Sequence, residues 1–140
     1  MPLVRIDLKR REHAEFGRKV GAVVYRTMTE MIGVPARDNF QVITEHDDAP
    51  VYDPGYLGIR RSDGILLIQI TLSEGRTVEA KQRFYRALTD RLSSELGVRP
   101  ADVFVNLVEV RKENWSFGEG VAQYVETESR KAEVESATPA

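Results

Sequence analysis

Cysteine is absent from this 140-residue chain, which excludes disulfides, thiolate nucleophiles and cysteine-ligated zinc. Histidine is scarce, and His13 and His46 are too few and too far apart to suggest a histidine metal site. No apolar run approaches the roughly 20 residues that span a bilayer, and no charged-then-apolar leader stands at the front. A cytoplasmic protein without a metal is therefore the expectation. An excess of charge of one sign is also missing. The formal net charge is −2, which gives no reason to expect nucleic acid or an acidic membrane as a partner. With 41% hydrophobic and 30% charged residues, the composition is that of a globular protein with one core.

Hydrophobic periodicity divides the chain. Leu3 to Leu8 alternates as a strand. From Glu12 to Ile32 apolar residues recur at helical spacing, and Gly33 followed by Pro35 is a stop signal. Phe40 to Thr44 reads as a short strand. A connection over 45–64, rich in Asp, Pro and Gly, is longer than a structureless loop usually is and implies a small hairpin or a functional role. Ile65 to Leu72 is the strongest strand, so nearly continuous in apolar residues that burial on both faces is expected. Thr77 is placed to cap a second helix, with Glu79 in its first turn, Phe84, Leu88, Leu92 and Leu96 along one stripe, and Gly97 at its end. Val103 to Val110 is the last strand. The single domain covers 1–126, and the polar stretch 127–140 is read as a mobile tail.

A displacement of 64 positions superposes Ile6 on Ile70, Leu8 on Leu72, Gly33 on Gly97, Val34 on Val98, Asp38 on Asp102 and Phe40 on Phe104. The order strand, helix, glycine stop, strand repeats with it. Two consecutive βαβ units, 2–46 and 65–110, imply an α+β fold with a four-stranded sheet and both helices on one face. The other face then needs a cover, and a second copy of the chain is the economical choice.

Six features are candidates for chemistry. Pro2 stands at the start of a strand, where proline is tolerated; with Met1 removed it would instead be a free secondary amine. Burial or a neighbouring arginine would lower that amine's pKa. Arg76, in Ser73-Glu74-Gly75-Arg76-Thr77, lies between a strand end and a helix start, where anions are favoured and a guanidinium can grip a carboxylate; a solvated arginine is the alternative. Asp38 can cap a turn, and its match to Asp102 favours that structural role. Trp115 and Phe117, in Trp115-Ser116-Phe117-Gly118-Glu119-Gly120, can wall a pocket or fill a core edge or a subunit contact. Arg60 and Arg61 read as surface charges with a lesser chance of reaching a site, and His46 as a lone exposed loop histidine.

The segments MPLVRIDL, GVPARDNFQ, GYLGIRRS, SEGRT and NWSFGEG together resemble the tautomerase superfamily, and within it the malonate semialdehyde decarboxylase branch. The similarity runs from Pro2 to about Tyr124. It implies a homotrimer with sheets inward and helices outward, an amino-terminal proline as the catalytic group, and no cofactor. Asp38 would assist Pro2, Arg76 would bind substrate carboxylate, and Trp115, Phe117 and Tyr124 would contact substrate. One departure stands out: Glu74 occupies a position where some members of the branch carry a second arginine.

The resemblance implies an enzyme acting on small oxo-carboxylates, most simply a malonate semialdehyde decarboxylase with accompanying hydratase activity. That chemistry uses a protonated Pro2 to stabilise developing negative charge. A keto-enol tautomerase of phenylpyruvate-type 2-oxo acids would use neutral Pro2 as a base. A non-enzymatic oligomeric ligand-binding module is the remaining alternative, since fold alone does not establish function.

Overall fold

The structure, a computed structural model, describes residues 2–137, apart from the side chains of residues 129 and 131. Met1 and the last three residues of the expected tail lie outside the described residues. The elements are β1 (Leu3–Lys9), α1 (Phe16–Met31), β2 (Phe40–His46), β3 (Leu66–Ser73), α2 (Val78–Leu96), β4 (Val103–Val110) and α3 (Gln123–Ala137). The sheet order is β2-β1-β3-β4. β1 runs parallel to β2, β3 runs parallel to β4, and the two units join through the antiparallel β1–β3 pair.

Both helices cover one face. Val4, Ile6 and Leu8 of β1 and Leu66, Ile68, Ile70 and Leu72 of β3 are buried beneath Val20, Val24 and Met28 of α1 and Phe84, Leu88 and Leu92 of α2. Arg91 of α2 ties the helices together, donating to Thr27 Oγ1 at 3.3 Å and pairing with Glu30 of α1. Helix α1 lies so close to β2 that a Cβ on Gly21 would sit 2.2 Å from Gln41 Oε1.

The repeat extends to individual hydrogen bonds. Gly33 and Gly97 are both left-handed, at φ +69° and +68°, a conformation open to glycine without steric cost. The amides of Val34 and Val98 then turn back to the carbonyls six residues earlier, Met28 at 3.3 Å and Leu92 at 3.2 Å. Both helices thus end in the same Schellman-type closure. The following turns match as well: Asp38 N–H donates to Pro35 O at 3.2 Å, and Asp102 N–H to Arg99 O at 2.9 Å.

Two expectations need correction, and burial of β3 on both faces, expected with another copy of the chain, is seen within one copy on the helix-covered side only. Helix α1 starts at Phe16, not near Glu12, because Glu15 takes φ +67° and breaks the helical path. The burial of β3 alternates, with Gln69 exposed and Leu67 and Thr71 half-buried; Ile65, which lengthened the apolar run, precedes the strand. Residues 127–137, read as tail, continue helix α3. The far face of the sheet is left carrying exposed Leu3, Phe40, Val42 and Phe104. No described helix is long and apolar enough to cross a membrane.

The connection 45–64 is no hairpin. Beyond the end of β2 at His46 its only regular piece is a short 3₁₀ turn, Tyr56–Gly58, and it is held by side chains. Arg61 Nη1 donates to the carbonyls of Tyr56 at 2.9 Å and Asp53 at 3.3 Å. Buried Asp102 accepts from Ser62 N at 2.8 Å and Ser62 Oγ at 2.6 Å. Asp102→Ala should therefore lower unfolding free energy by about 2–4 kcal/mol, because it strips two charge-assisted bonds from a buried anchor. Urea unfolding checks the value, and limited proteolysis should find cleavage newly concentrated in 47–61.

Candidate active site

Strand register brings the candidate residues to one end of the sheet. Leu3 pairs with Phe40 on one side and Thr71 on the other, while Ser73 pairs with Val110. The starts of β1 and β2 thus lie beside the ends of β3 and β4. Pro2, buried, immediately precedes Leu3. Asp38 sits two residues before β2, with its Oδ1 shielded from solvent. The loops after β3 and β4 carry Arg76 and Trp115.

Arg76 is half-buried and held by backbone. Its Nε donates to Ile32 O at the end of α1 at 2.9 Å, and its Nη1 to Ser73 O at 2.8 Å. Among the described residues Nη2 has no hydrogen-bond or ion-pair partner. The guanidinium is thus fixed by neutral acceptors. It directly precedes Thr77, whose hydroxyl accepts from Ala80 N at 3.1 Å and caps α2, so the helix dipole adds to the positive field. Behind the loop, Glu109 accepts from Gly75 N at 3.3 Å and pairs with Lys81. The Lys81 hydrogen bond is the main cause holding the Glu109 carboxyl below its usual range, despite some opposing burial. Glu74 is exposed, in contrast to Arg76.

An aromatic wall stands alongside. Trp115 stacks on Phe117 at 5.4 Å between centroids, and Phe117 meets Tyr124 edge-on at 4.9 Å. The indole N–H donates to Ser73 Oγ at 3.2 Å, which ties the wall to the strand end that also holds Arg76. Gln123 fixes the loop from α3, accepting from Phe117 N at 3.0 Å and donating to Gly118 O at 2.8 Å. Burial first, and then the Asp38 carboxylate, push the Tyr124 phenol above its usual pKa, against the opposing pull of Lys112 and Arg76. Tyr124, Asp38 and Arg76 therefore share one electrostatic neighbourhood.

The remaining candidates lie elsewhere. Arg61 is spent on the 45–64 connection, and the Arg60 carbonyl accepts from Arg99 at 2.9 Å. His46 is not a lone loop residue: it ends β2 and pairs with Asp7 of β1 at 2.7 Å. Among the described residues no group of three histidine or carboxylate side chains is placed to hold a metal ion. Ser73, Gln123 and the Ile32 carbonyl, which position the site, carry no signal in the sequence. A lone hydroxyl, amide or carbonyl becomes a ligand only when folding places a partner beside it.

Residues 38–118 match the family described as "Tautomerase enzyme". The chain is 41% identical over 127 residues to "Probable tautomerase YusQ" of Bacillus subtilis (strain 168), covering 90% of this chain and 100% of that one. It is 35% identical over 126 residues to "Probable tautomerase YrdN" of the same organism, covering 89% of this chain and 97% of that one. Among solved structures, the FG41 malonate semialdehyde decarboxylase inhibited by 3-bromopropiolate superposes with a TM-score of 0.80 at 41% identity, over 90% of this chain and 96% of that one. A fused 4-OT described as a symmetric trimer shares the fold, with a TM-score of 0.68 at 24% identity over 85% of this chain and 94% of that one. The duplicated βαβ sheet and these matches along nearly the whole chain agree, and the chain belongs to the tautomerase family.

Proposed function

We propose that this protein is a cofactor-independent cytoplasmic enzyme that decarboxylates a small 3-oxo acid of the malonate semialdehyde type through the amine of Pro2, exposed by removal of Met1. The observation that carries the reading is Arg76, a backbone-anchored guanidinium whose Nη2 has no partner among the described residues, beside an aromatic wall. Similarity to a malonate semialdehyde decarboxylase along 90% of the chain supports it. A second water-adding activity on activated acids, hydratase in type, uses the same cationic groups.

In this mechanism Arg76 holds the substrate carboxylate, and Trp115, Phe117 and Tyr124 exclude water. The carbon–carboxylate bond breaks, its electron pair moves into the adjoining carbonyl, and carbon dioxide leaves. The enolate oxygen accepts a hydrogen bond from the protonated Pro2 nitrogen. Asp38, as a carboxylate, favours the charged amine. The prolyl ammonium then gives its proton to the carbon that carried the carboxylate, completing the aldehyde, and regains one from solvent. The apolar strand face bearing Leu3, Phe40, Val42 and Phe104 is covered in this proposal by two further copies of the chain. The trimeric state of the fused 4-OT supports that arrangement.

The curated relatives named as probable tautomerases favour a second reading, in which neutral Pro2 moves a proton between carbon and oxygen of a 2-oxo acid. The two readings require opposite protonation states of one nitrogen. Titrating the ¹⁵N-labelled prolyl amine should give a midpoint well above neutrality, with turnover of malonate semialdehyde exceeding that of phenylpyruvate enol. A midpoint near or below neutrality with the reverse preference assigns the tautomerase reading. Quantitative retention of Met1 in the cell-made protein defeats both.

A further inference from the structure

The two halves of the repeat treat their matching aspartates differently, and the difference starts one residue earlier. Asp102 follows Ala101 within a regular 3₁₀ turn, and its carboxylate is consumed by Ser62 and Arg99. Asp38 follows Arg37, which takes φ +70°. A non-glycine residue in the left-handed region is held there only when its surroundings impose it. The turn of the first half therefore needs a restraint that the second half lacks.

Tyr25 supplies that restraint. Its phenolic oxygen, on α1, accepts from the Arg37 N–H at 2.9 Å. The position displaced by 64 residues in α2 is Thr89, far shorter than a tyrosine. The hydroxyl thus acts on the backbone of the residue next to Asp38, in the half of the molecule that carries Pro2, and nowhere in the other half. The Tyr25 side chain is half-buried and is carried by α1, so its reach starts from the helix and not from the turn it bonds.

We propose that Tyr25 is a positioning residue: by holding Arg37 in the left-handed turn it sets the direction of the Asp38 carboxylate relative to the Pro2 amine. This rests on the proposed role of Pro2 and Asp38. Through them, Tyr25 governs the charge state of the amine and leaves substrate affinity to Arg76.

The test compares Tyr25→Phe, Asp38→Asn and Tyr25→Phe/Arg37→Gly in the full-length protein. The probe is whichever of malonate semialdehyde or phenylpyruvate enol the unsubstituted chain turns over. Tyr25→Phe removes one hydrogen bond and no apolar area, so the unfolding midpoint should fall only by the weight of that bond. Its kcat should fall about three- to tenfold, the weight of one hydrogen bond, with KM changed less than twofold. The limb of the pH–kcat/KM profile governed by the prolyl amine should move to lower pH, part of the way reached by Asp38→Asn. The Arg37 amide should exchange with deuterium at least fivefold faster. Because glycine takes positive φ without cost, Arg37→Gly should restore most of the lost kcat in the double variant.

A Tyr25→Phe protein with unchanged kcat and pH profile, set against an altered Asp38→Asn protein, overturns the positioning role and leaves the proposed function standing. If Asp38→Asn too behaves like the parent, or neither probe is turned over, the proposed function fails and takes this inference with it. A Tyr25→Phe defect that Arg37→Gly does not relieve also counts against it, since the turn would not be the route.

Discussion

Pro2→Ala should lower kcat by about a hundredfold or more while KM changes little. Positioned proton donors and acceptors contribute roughly 10²–10⁴-fold to a reaction. Alanine at this position still yields an amine once Met1 is gone, but a primary one, with an ordinary midpoint near 7.7–8.0 and free rotation about N–Cα. Pyrrolidine removes that rotation and fixes the direction of the N–H bonds. Pro2 itself is buried at the head of β1, so the replacement also leaves a small void, and a thermal melt separates that cost from the chemistry. Acylating the terminus of the unsubstituted protein should be harsher than Pro2→Ala, since an amide nitrogen neither carries charge nor accepts a proton. Equal turnover by the blocked and unblocked proteins would remove Pro2 from the mechanism.

Arg76→Ala is expected to lower kcat/KM by roughly 10²–10³-fold, as removal of one partner from a desolvated, hydrogen-bonded ion pair does. The loss should appear chiefly in KM, because the carboxylate is bound in the ground state as well as in the transition state. Two of the guanidinium's donors brace Ile32 O and Ser73 O, so part of any defect could arise from a loosened loop. Arg76→Lys separates the effects: it restores a positive charge but no planar fork, and should recover at most about a tenth of the parent kcat/KM. Added guanidinium ion should rescue Arg76→Ala for a carboxylate substrate and leave Pro2→Ala unaffected. Failure of every Arg76 variant to raise KM would mean that another cation receives the acid.

Most of the architecture is legible in the amino-acid sequence. Glycine, proline and capping threonine mark where helices must stop and start, and those are local properties of the chain. Gly97 and Thr77 behave accordingly, terminating and capping α2. The displacement of 64 residues revealed the duplication because equivalent cores and equivalent helix closures demand equivalent side chains. Misreadings arose where neighbours in space outweighed neighbours in sequence. Ile65 lengthened an apolar run without joining β3, and the 45–64 connection takes its shape from Arg61 and Asp102 rather than from a turn motif. Residues 127–137 lack an apolar stripe but continue a helix begun at Gln123, whose side chain fixes the aromatic loop.

The amino-acid order alone determined the βαβ duplication, the helix limits set by Gly33, Gly97 and Thr77, and the short set of residues able to do acid–base or carboxylate chemistry. Which of these residues meet was decided by strand register, because parallel pairing within each half and antiparallel pairing between halves bring segments far apart in the chain to one sheet end. Two aspartates at matching positions read alike in the sequence. Their difference came only with folding, when a left-handed turn at Arg37 and a serine from a distant loop gave each carboxylate its own surroundings.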